Sequence, residues 1–465
     1  MTRRFASASL AVLVLAHAAV AWEVPLELKE PRGKGGLRYV SGGVPLLPGQ
    51  AKDVSELQLI NRGVPGIPAI VPAQFRVLAR WWQKDNSVRW VLVDFQTDIK
   101  ANETQNFVLT DAKRPAAAPK HKLTVAEAAD AITVDTGAAT FIVDRKKFNL
   151  LQSVVIDGKE LLATTPDCGT VIEDTFGEKY YSSESTRSVE VIEKGPLRVR
   201  VRARGLHKAR GGKGYSKGMY RYDYLMDFFA GSTTVFCDVI IGNNFPKSVG
   251  TPCFEDASLW LKLKGPVAEY SIAGNRGQPH AGTLAREQSA CLYQDSNGAR
   301  TWQRCPGVAY MKVDGWHGIK EQVSSFKGYK VFKRTDGKTE GQQEVAGGDQ
   351  ATGTTHVRAG QGGLIVHMLN FWQQFPKGVE VFGDGRLRLA LFPREYKVNH
   401  FLEDATAKGH EIVFHFYATG RPDPAAVAGA WDSKVLPRPA DMKHIAACGA
   451  LADLGPFTAP TTGLT

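Results

Sequence analysis

Helical periodicity is nearly absent from this sequence. Outside PAAVAGAW and ADMKHIAACGALADL, close to the last residue, no segment repeats apolar side chains at three- and four-residue spacing. That excludes helical bundles and the alternating βαβ classes. Long apolar runs are missing too: beyond residue 21 none reaches the ~18 residues that a membrane-spanning helix needs. The six cysteines form no C-x-x-C pair and no zinc-ligand spacing. No helix-turn-helix, finger or RNP-like pattern occurs, so nucleic acid is not the expected partner. Three motif-like strings fail on context. Gly214-Tyr215-Ser216-Lys217-Gly218 matches G-x-S-x-G, but a polar loop precedes it and a strand-like run follows, whereas a nucleophile elbow joins a buried strand to a helix. Gly337-Lys338-Thr339 lacks the first glycine of a P-loop. His410-Glu411 has no second histidine at metalloprotease spacing.

What is present reads as an exported all-β chain. MTRR, an apolar stretch FASASLAVLVLAHAAV and the small-x-small site Ala19-Val20-Ala21 form a secretory leader over residues 1–21. The expected location is extracellular, or periplasmic in a Gram-negative cell. Period-two alternation recurs in SVRWVLVDFQ, ATFIVD, LRVRVRARG, TTVFCDVIIG, GGLIVHMLNF, LRLALF and HEIVFHFY, separated by Gly, Pro, Asn and Asp clusters. The 465 residues exceed what one core usually organises. The Pro/Ala/Lys-rich DAKRPAAAPKHK therefore reads as a linker, residues 113–121, between a domain at 22–112 and a second at 122–420. Residues 421–465 form a helical tail with a Pro/Thr end. A formal net charge of +11 favours an acidic partner.

In an exported chain an even cysteine count permits disulfides, and Cys237 with Cys253 and Cys291 with Cys305 would each close a short loop. Buried free thiols are an equal reading. Asn102-Glu103-Thr104 is a glycosylation sequon, informative only for a eukaryotic source. In LRVRVRARG, Arg198, Arg200, Arg202 and Arg204 share one strand face. That row reads as a rail for a polyanion or, with more weight, as a solvated face paired with acids such as Asp223 and Asp227. The remaining candidates are aromatic, basic and imidazole groups: Trp302, Trp316 and His317; Trp372, Gln373, Gln374 and Lys377; Arg394, Tyr396, Lys397 and His400. Sugar rings stack on tryptophan, and acidic sugars need Arg or Lys for the carboxylate.

Gly43-Val44-Pro45, then Pro72, Gln74 and Leu78 to Trp81, then Ser87 to Trp90 resemble the N-terminal RIFT barrel of the exo-rhamnogalacturonan lyase-like (PcRGLX/YetA-like) family. Trp81 and Trp90 are expected to plug that barrel. Asp135-Thr136-Gly137, Glu193 to Arg198, Phe371 to Lys377 and Lys408 to Glu411 resemble the family's central β-sandwich, so the likeness covers about residues 30–420. Complete members continue into an α/α-toroid that this chain lacks, which implies a separate helical partner, a short form that works alone, or a protein that only binds.

The resemblance implies a polysaccharide lyase acting on an acidic, rhamnose-containing glycan by β-elimination. Such a site needs a cation on the uronate carboxylate, a base for the C5 proton and an acid for the departing O4. Arg394 and Lys397 are the expected neutralisers, with His317, Tyr396 and His400 as base and acid. Trp302, Trp316, Trp372 and Lys377 are the expected substrate contacts. His280 and Tyr180-Tyr181 are loop alternatives. No cofactor is required, although calcium could replace an arginine; no EF-hand loop is present. The alternative is a secreted, non-catalytic carbohydrate-binding or scaffold protein.

Overall fold

The computed structural model describes residues 21–63, 69–82, 84–112, 117–212, 214–215, 218–243, 252–275, 277–304, 324–396, 398–432 and 434–449. Residues 1–20, which hold nearly all of the expected leader, fall outside them. Among the described residues no helix is long and apolar enough to cross a membrane.

The all-β expectation holds: among the described residues the α-helices are Pro424–Asp432 and Met442–Cys448, near the end. Two hydrophobic cores form. The smaller joins Val24, Leu26, Val91, Val93, Phe95 and Phe107. It lies among the early strands, which pair as a three-stranded sheet (Gly36–Pro45, Val88–Ile99, Ala73–Arg80) and a five-stranded one. The tail returns here: Leu26 and Glu27 pair with Pro439 and Arg438.

Trp81 and Trp90 do not plug this core. Both are only half-buried. Register shifts between Ala79–Trp90 and Arg80–Val88 interrupt the alternation, so Val88 and Val91 turn inward in place of Trp90. Trp81 donates its indole N–H to the Leu46 carbonyl at 3.1 Å, between the cations of Lys84 and Arg89.

The larger core is enclosed by two long antiparallel sheets and a smaller five-stranded one within residues 124–160, which adds Val134, Phe141 and Val154. The front sheet runs in the order Lys179–Tyr181, Gly169–Asp174, Phe254–Lys262, Arg386–Phe392, Lys377–Phe382, Gln288–Gln294, Tyr329–Thr335, Gln343–Gly348. The back sheet begins with Thr186–Lys194, Arg198–Ala209, Met219–Phe229, Thr234–Gly242 and Ala407–Tyr417. It continues through Gly362–Met368, Thr354–Ala359, Val267–Ala273 and Pro279–Gly282. Tyr180 paired with Ala209 joins the two at one edge.

The arginine row on Arg198–Ala209 is ion-paired rather than free. Arg200 grips Asp227 with two bonds of 2.6 Å, Arg202 pairs with Asp223 and Arg204 with Glu190 at 3.1 Å. Arg198 is buried against Asp94 (3.2 Å) and Glu193 (2.8 Å). Asp94 belongs to the early strands, so this pair ties the two cores together. Gln74 strengthens the tie: its carbonyl accepts from the Arg198 amide at 3.0 Å and its amide donates to Glu193 at 3.0 Å. A side chain at Gly195 would begin 2.1 Å from the Gln74 amide, so any larger residue must displace Gln74. Cys237 and Cys253 are not bonded to each other; Cys237 points into the core, which leaves it no path to the loop thiol. Cys291 is also free, and Cys305 lies outside the described residues.

Candidate functional site

The outer face of the front sheet carries the chemistry. In Phe254–Lys262 the leucines 259 and 261 enter the core, so alternation sends Asp256, Ser258, Trp260 and Lys262 to the other side. In Arg386–Phe392, Leu387, Leu389 and Leu391 enter the core, leaving Arg386 and Arg388 beside them. Register sets Trp260 opposite Arg388 and Lys262 opposite Arg386.

Beneath this face lies a closed charge lattice. Arg388 is 2 % exposed and donates to Ser258 (3.0 Å) and Glu395 (2.9 Å), with Asp256 also in contact. Arg334 donates to Glu395 at 2.8 Å and pairs with Glu380 at 3.4 Å. Burial alone would raise the Glu395 pKa, but the two guanidiniums prevail and hold its carboxyl far below the usual range. The lattice anchors the segment Pro393–Tyr396 to the sheet. Cys291, Glu380 and Glu395 place one ligand atom each within 4.8 Å of one another. They do not fit calcium: that ion takes six to eight oxygens, one of these ligands is a thiol, and both carboxylates already serve the arginines.

Over the lattice opens a cleft of about 340 Å³. Trp260, Lys262, Arg386, Arg394, Lys179 and Tyr181 line it, with acids Asp167, Glu173 and Asp384. Arg394 reaches Glu173 at 3.3 Å and Asp256 at 3.6 Å. Arg210 lies over the Tyr181 ring at 3.6 Å and is itself held by Glu184 and Asp167. Burial pushes the Tyr181 phenol up, against the opposing pull of Arg210. Lys262 and Arg386 face each other directly, a like-charge arrangement that costs stability unless an anion spans it; Asp384 answers Arg386 at 2.7 Å. On the turn between the strands that carry Glu173 and Lys179, Phe176 is 88 % exposed. It rides a tight turn in which the buried Asp174 accepts from the Phe176 and Glu178 amides, both at 2.9 Å, and from the Tyr180 hydroxyl at 3.0 Å.

The sequence candidates divide. Arg394 lines this cleft. Tyr396 and His400 sit just below the surface, 5 % and 0 % exposed, their rings stacked at 5.3 Å. The His400 Nε2 meets the Pro393 carbonyl at 3.0 Å, and burial brings the imidazole down to about 4. Lys377 is inside the sandwich against His410, and burial lowers both pKa values far. Trp372 lines a different cleft, and Trp302 is half-buried on a short turn. His280 stands near Tyr270, and Tyr180 is fully buried. His317, Trp316 and Lys397 lie outside the described residues. Trp260, Lys262 and Arg386 escaped the sequence reading, although SLWLKL alternates in a way that sets Trp260 and Lys262 on one face.

Residues 271–387 match the family model of the PcRGLX-like protein central beta sandwich domain. The match spans the middle of the front sheet, including Gln288–Gln294 and Lys377–Phe382. The chain is 24% identical over 370 residues to the uncharacterized protein YetA of Bacillus subtilis (strain 168), covering 74% of this chain and 41% of YetA. It thus spans about two fifths of that relative's length. Among solved structures it is similar to an alpha-mannosidase from Enterococcus faecalis V583, with TM-score 0.47, 11% identity and coverage of 89% of this chain and 46% of that one. A putative aldose 1-epimerase from Escherichia coli K12 aligns with TM-score 0.30 and 9% identity, over 64% of this chain and 100% of that one.

Proposed function

We propose that this chain is an exported carbohydrate-active protein that takes an acidic glycan into the front-sheet cleft and cleaves it by β-elimination. The observation that carries the reading is the directly opposed Lys262 and Arg386, which share one cleft with Trp260 and Tyr181. Trp260 offers an apolar face to a sugar ring. The uronate carboxylate binds between Lys262 and Arg386, which it shares with Asp384, and this neutralisation acidifies the C5 proton. Tyr181 keeps its phenolic proton at neutral pH, since burial raises its pKa, and so serves as the acid for the departing O4. The Glu173 carboxylate, 3.9 Å from the Lys179 ammonium, takes the C5 proton. The similarity to the PcRGLX-like sandwich supports the glycan class.

Binding without cleavage is favoured by a different observation: Glu173 and Asp384 are each engaged by a cation, so neither carboxylate stands open to a substrate. The two readings separate in one experiment. Mature protein is incubated with rhamnogalacturonan, pectin, alginate, ulvan and glycosaminoglycans while ultraviolet absorbance of unsaturated uronate is followed. Elimination gives rising absorbance that Tyr181→Phe and Lys262→Ala each reduce at least tenfold. A flat trace with every glycan, alongside retained mobility shift in affinity electrophoresis, replaces the lyase with the binding protein.

A further inference from the structure

A second cleft, of about 590 Å³, lies where the early strands, the back sheet and the helix Pro424–Asp432 meet. Trp372, Asn370 and Thr352 come from the sandwich, Trp431 and Asp432 from the helix, and Arg32 from the first part of the chain. Three of these are held from behind. Trp431 is stacked on Phe236 at 5.0 Å and on Tyr39 at 5.6 Å. Glu30, fully buried, accepts from the backbone amides of Arg32 (3.0 Å), Lys34 (2.9 Å) and Asn102 (3.0 Å), which fixes the loop that carries Arg32.

Asp432 is oriented by a hydrogen-bonded chain. Its Oδ1 meets the Nε2 of the buried His367 at 2.9 Å, and the His367 Nδ1 meets the Thr354 hydroxyl at 2.9 Å. A carboxylate only accepts, so Nε2 donates, and in the neutral ring Nδ1 accepts from Thr354. The remaining lone pairs of Asp432, which is exposed, are open to donors from the cleft. A helix-terminal carboxylate on the surface needs no buried imidazole to hold it, so the chain fixes an acceptor in place beside an indole.

We propose that this second cleft binds a neutral saccharide, stacked on Trp372 and hydrogen-bonded through adjacent hydroxyls to Asp432. The charge pattern selects the class. Lys434 is spent on Glu411 at 2.6 Å, and Arg32 and Asp432, which also line the cleft, cancel, so no net charge remains to hold a uronate. The first cleft differs: there Asp256 is neutralised from below by Arg388, and Lys262 and Arg386 stand side by side. The inference does not depend on catalysis in the first cleft.

The test is saturation-transfer difference NMR on the full mature chain with a neutral hexose, a neutral 6-deoxyhexose, their disaccharides, and galacturonate. At least one neutral saccharide should bind saturably. Trp372→Ala and Asp432→Asn should each weaken it at least tenfold, while Trp372→Phe, which keeps the aromatic face, and Trp260→Ala, in the other cleft, leave it within twofold. Thermal melts confirm that each variant is folded. The proposal is overturned if no neutral saccharide binds. It is equally overturned if galacturonate binds more tightly through Trp372, or if binding follows Trp260 and ignores Trp372.

Discussion

Acid should weaken this protein above the pH at which its carboxylates titrate, because two histidines are sealed inside it in the neutral form. His207 and His400 are both 0 % exposed. Each keeps one good hydrogen bond, His207 Nδ1 with the Tyr220 carbonyl at 3.0 Å and His400 Nε2 with the Pro393 carbonyl at 3.0 Å. Burial lowers both to about 4 from an ordinary 6.5. In the unfolded chain each takes a proton near pH 6.5, which the folded protein refuses until about 4. The unfolded state therefore binds more protons across that window, and stability falls as pH drops through it, by about 1.4 kcal/mol per unit for each histidine. Over the whole window that amounts to roughly 3 kcal/mol each, a large share of the ~5–15 kcal/mol that holds a typical domain together. Urea unfolding followed by circular dichroism at pH 6.5, 5.5 and 4.5 would measure it. His400→Gln and His207→Asn keep an N–H for the respective carbonyl and cannot titrate. Each should flatten the slope by about 1.4 kcal/mol per unit, whatever the carboxylates common to all three proteins contribute. A variant slope equal to the parent's would refute the reasoning.

Lys377 should act in the same direction at higher pH. Its folded pKa is depressed, so stability rises with pH up to the ordinary lysine range, and Lys377→Met should both stabilise the fold and remove that rise in denaturation at pH 7 and 9. Gly195→Ala should cost about 1–3 kcal/mol by displacing Gln74 from the seam between the cores, read as a lower melting temperature. Arg388→Met removes the guanidinium shared by Asp256, Glu380 and Glu395, leaving Arg334 and Arg394 as their cations, and should cost about 3–5 kcal/mol; unchanged stability would show that Arg388 does not hold the lattice together. Phe176→Ala should leave stability within about 0.5 kcal/mol and lower affinity for the glycan of the first cleft in affinity electrophoresis.

Fold class was legible because burial writes a local signal. Alternation at period two survives in LRVRVRARG, TTVFCDVIIG and HEIVFHFY whatever their partners turn out to be, and the sparse helical pattern was confined to the segments that became Pro424–Asp432 and Met442–Cys448. The pairing of the arginine row with Asp223 and Asp227 was also legible, since both strands alternate and face one another.

Sites are assembled from residues distant in sequence, and local pattern does not say which candidates will meet. FPREYKVNHF offered four chemically apt groups in ten residues, yet Glu395, which was not among them, anchors the segment, while Tyr396 and His400 pack downward and Arg394 reaches the cleft. Lys377 looked like a surface cation, but its strand lies at the middle of the front sheet and turns it inward onto His410. Trp81 and Trp90 looked like the two arms of a plug, but a register shift that no local pattern announces turned Trp90 out. Lys262 opposite Arg386, and Asp432 against His367, are contacts between strands or between helix and sheet separated by more than 60 residues. Sequence determined which side chains each strand could present. The order and register of the strands, set by packing of both faces at once, decided which of them would meet.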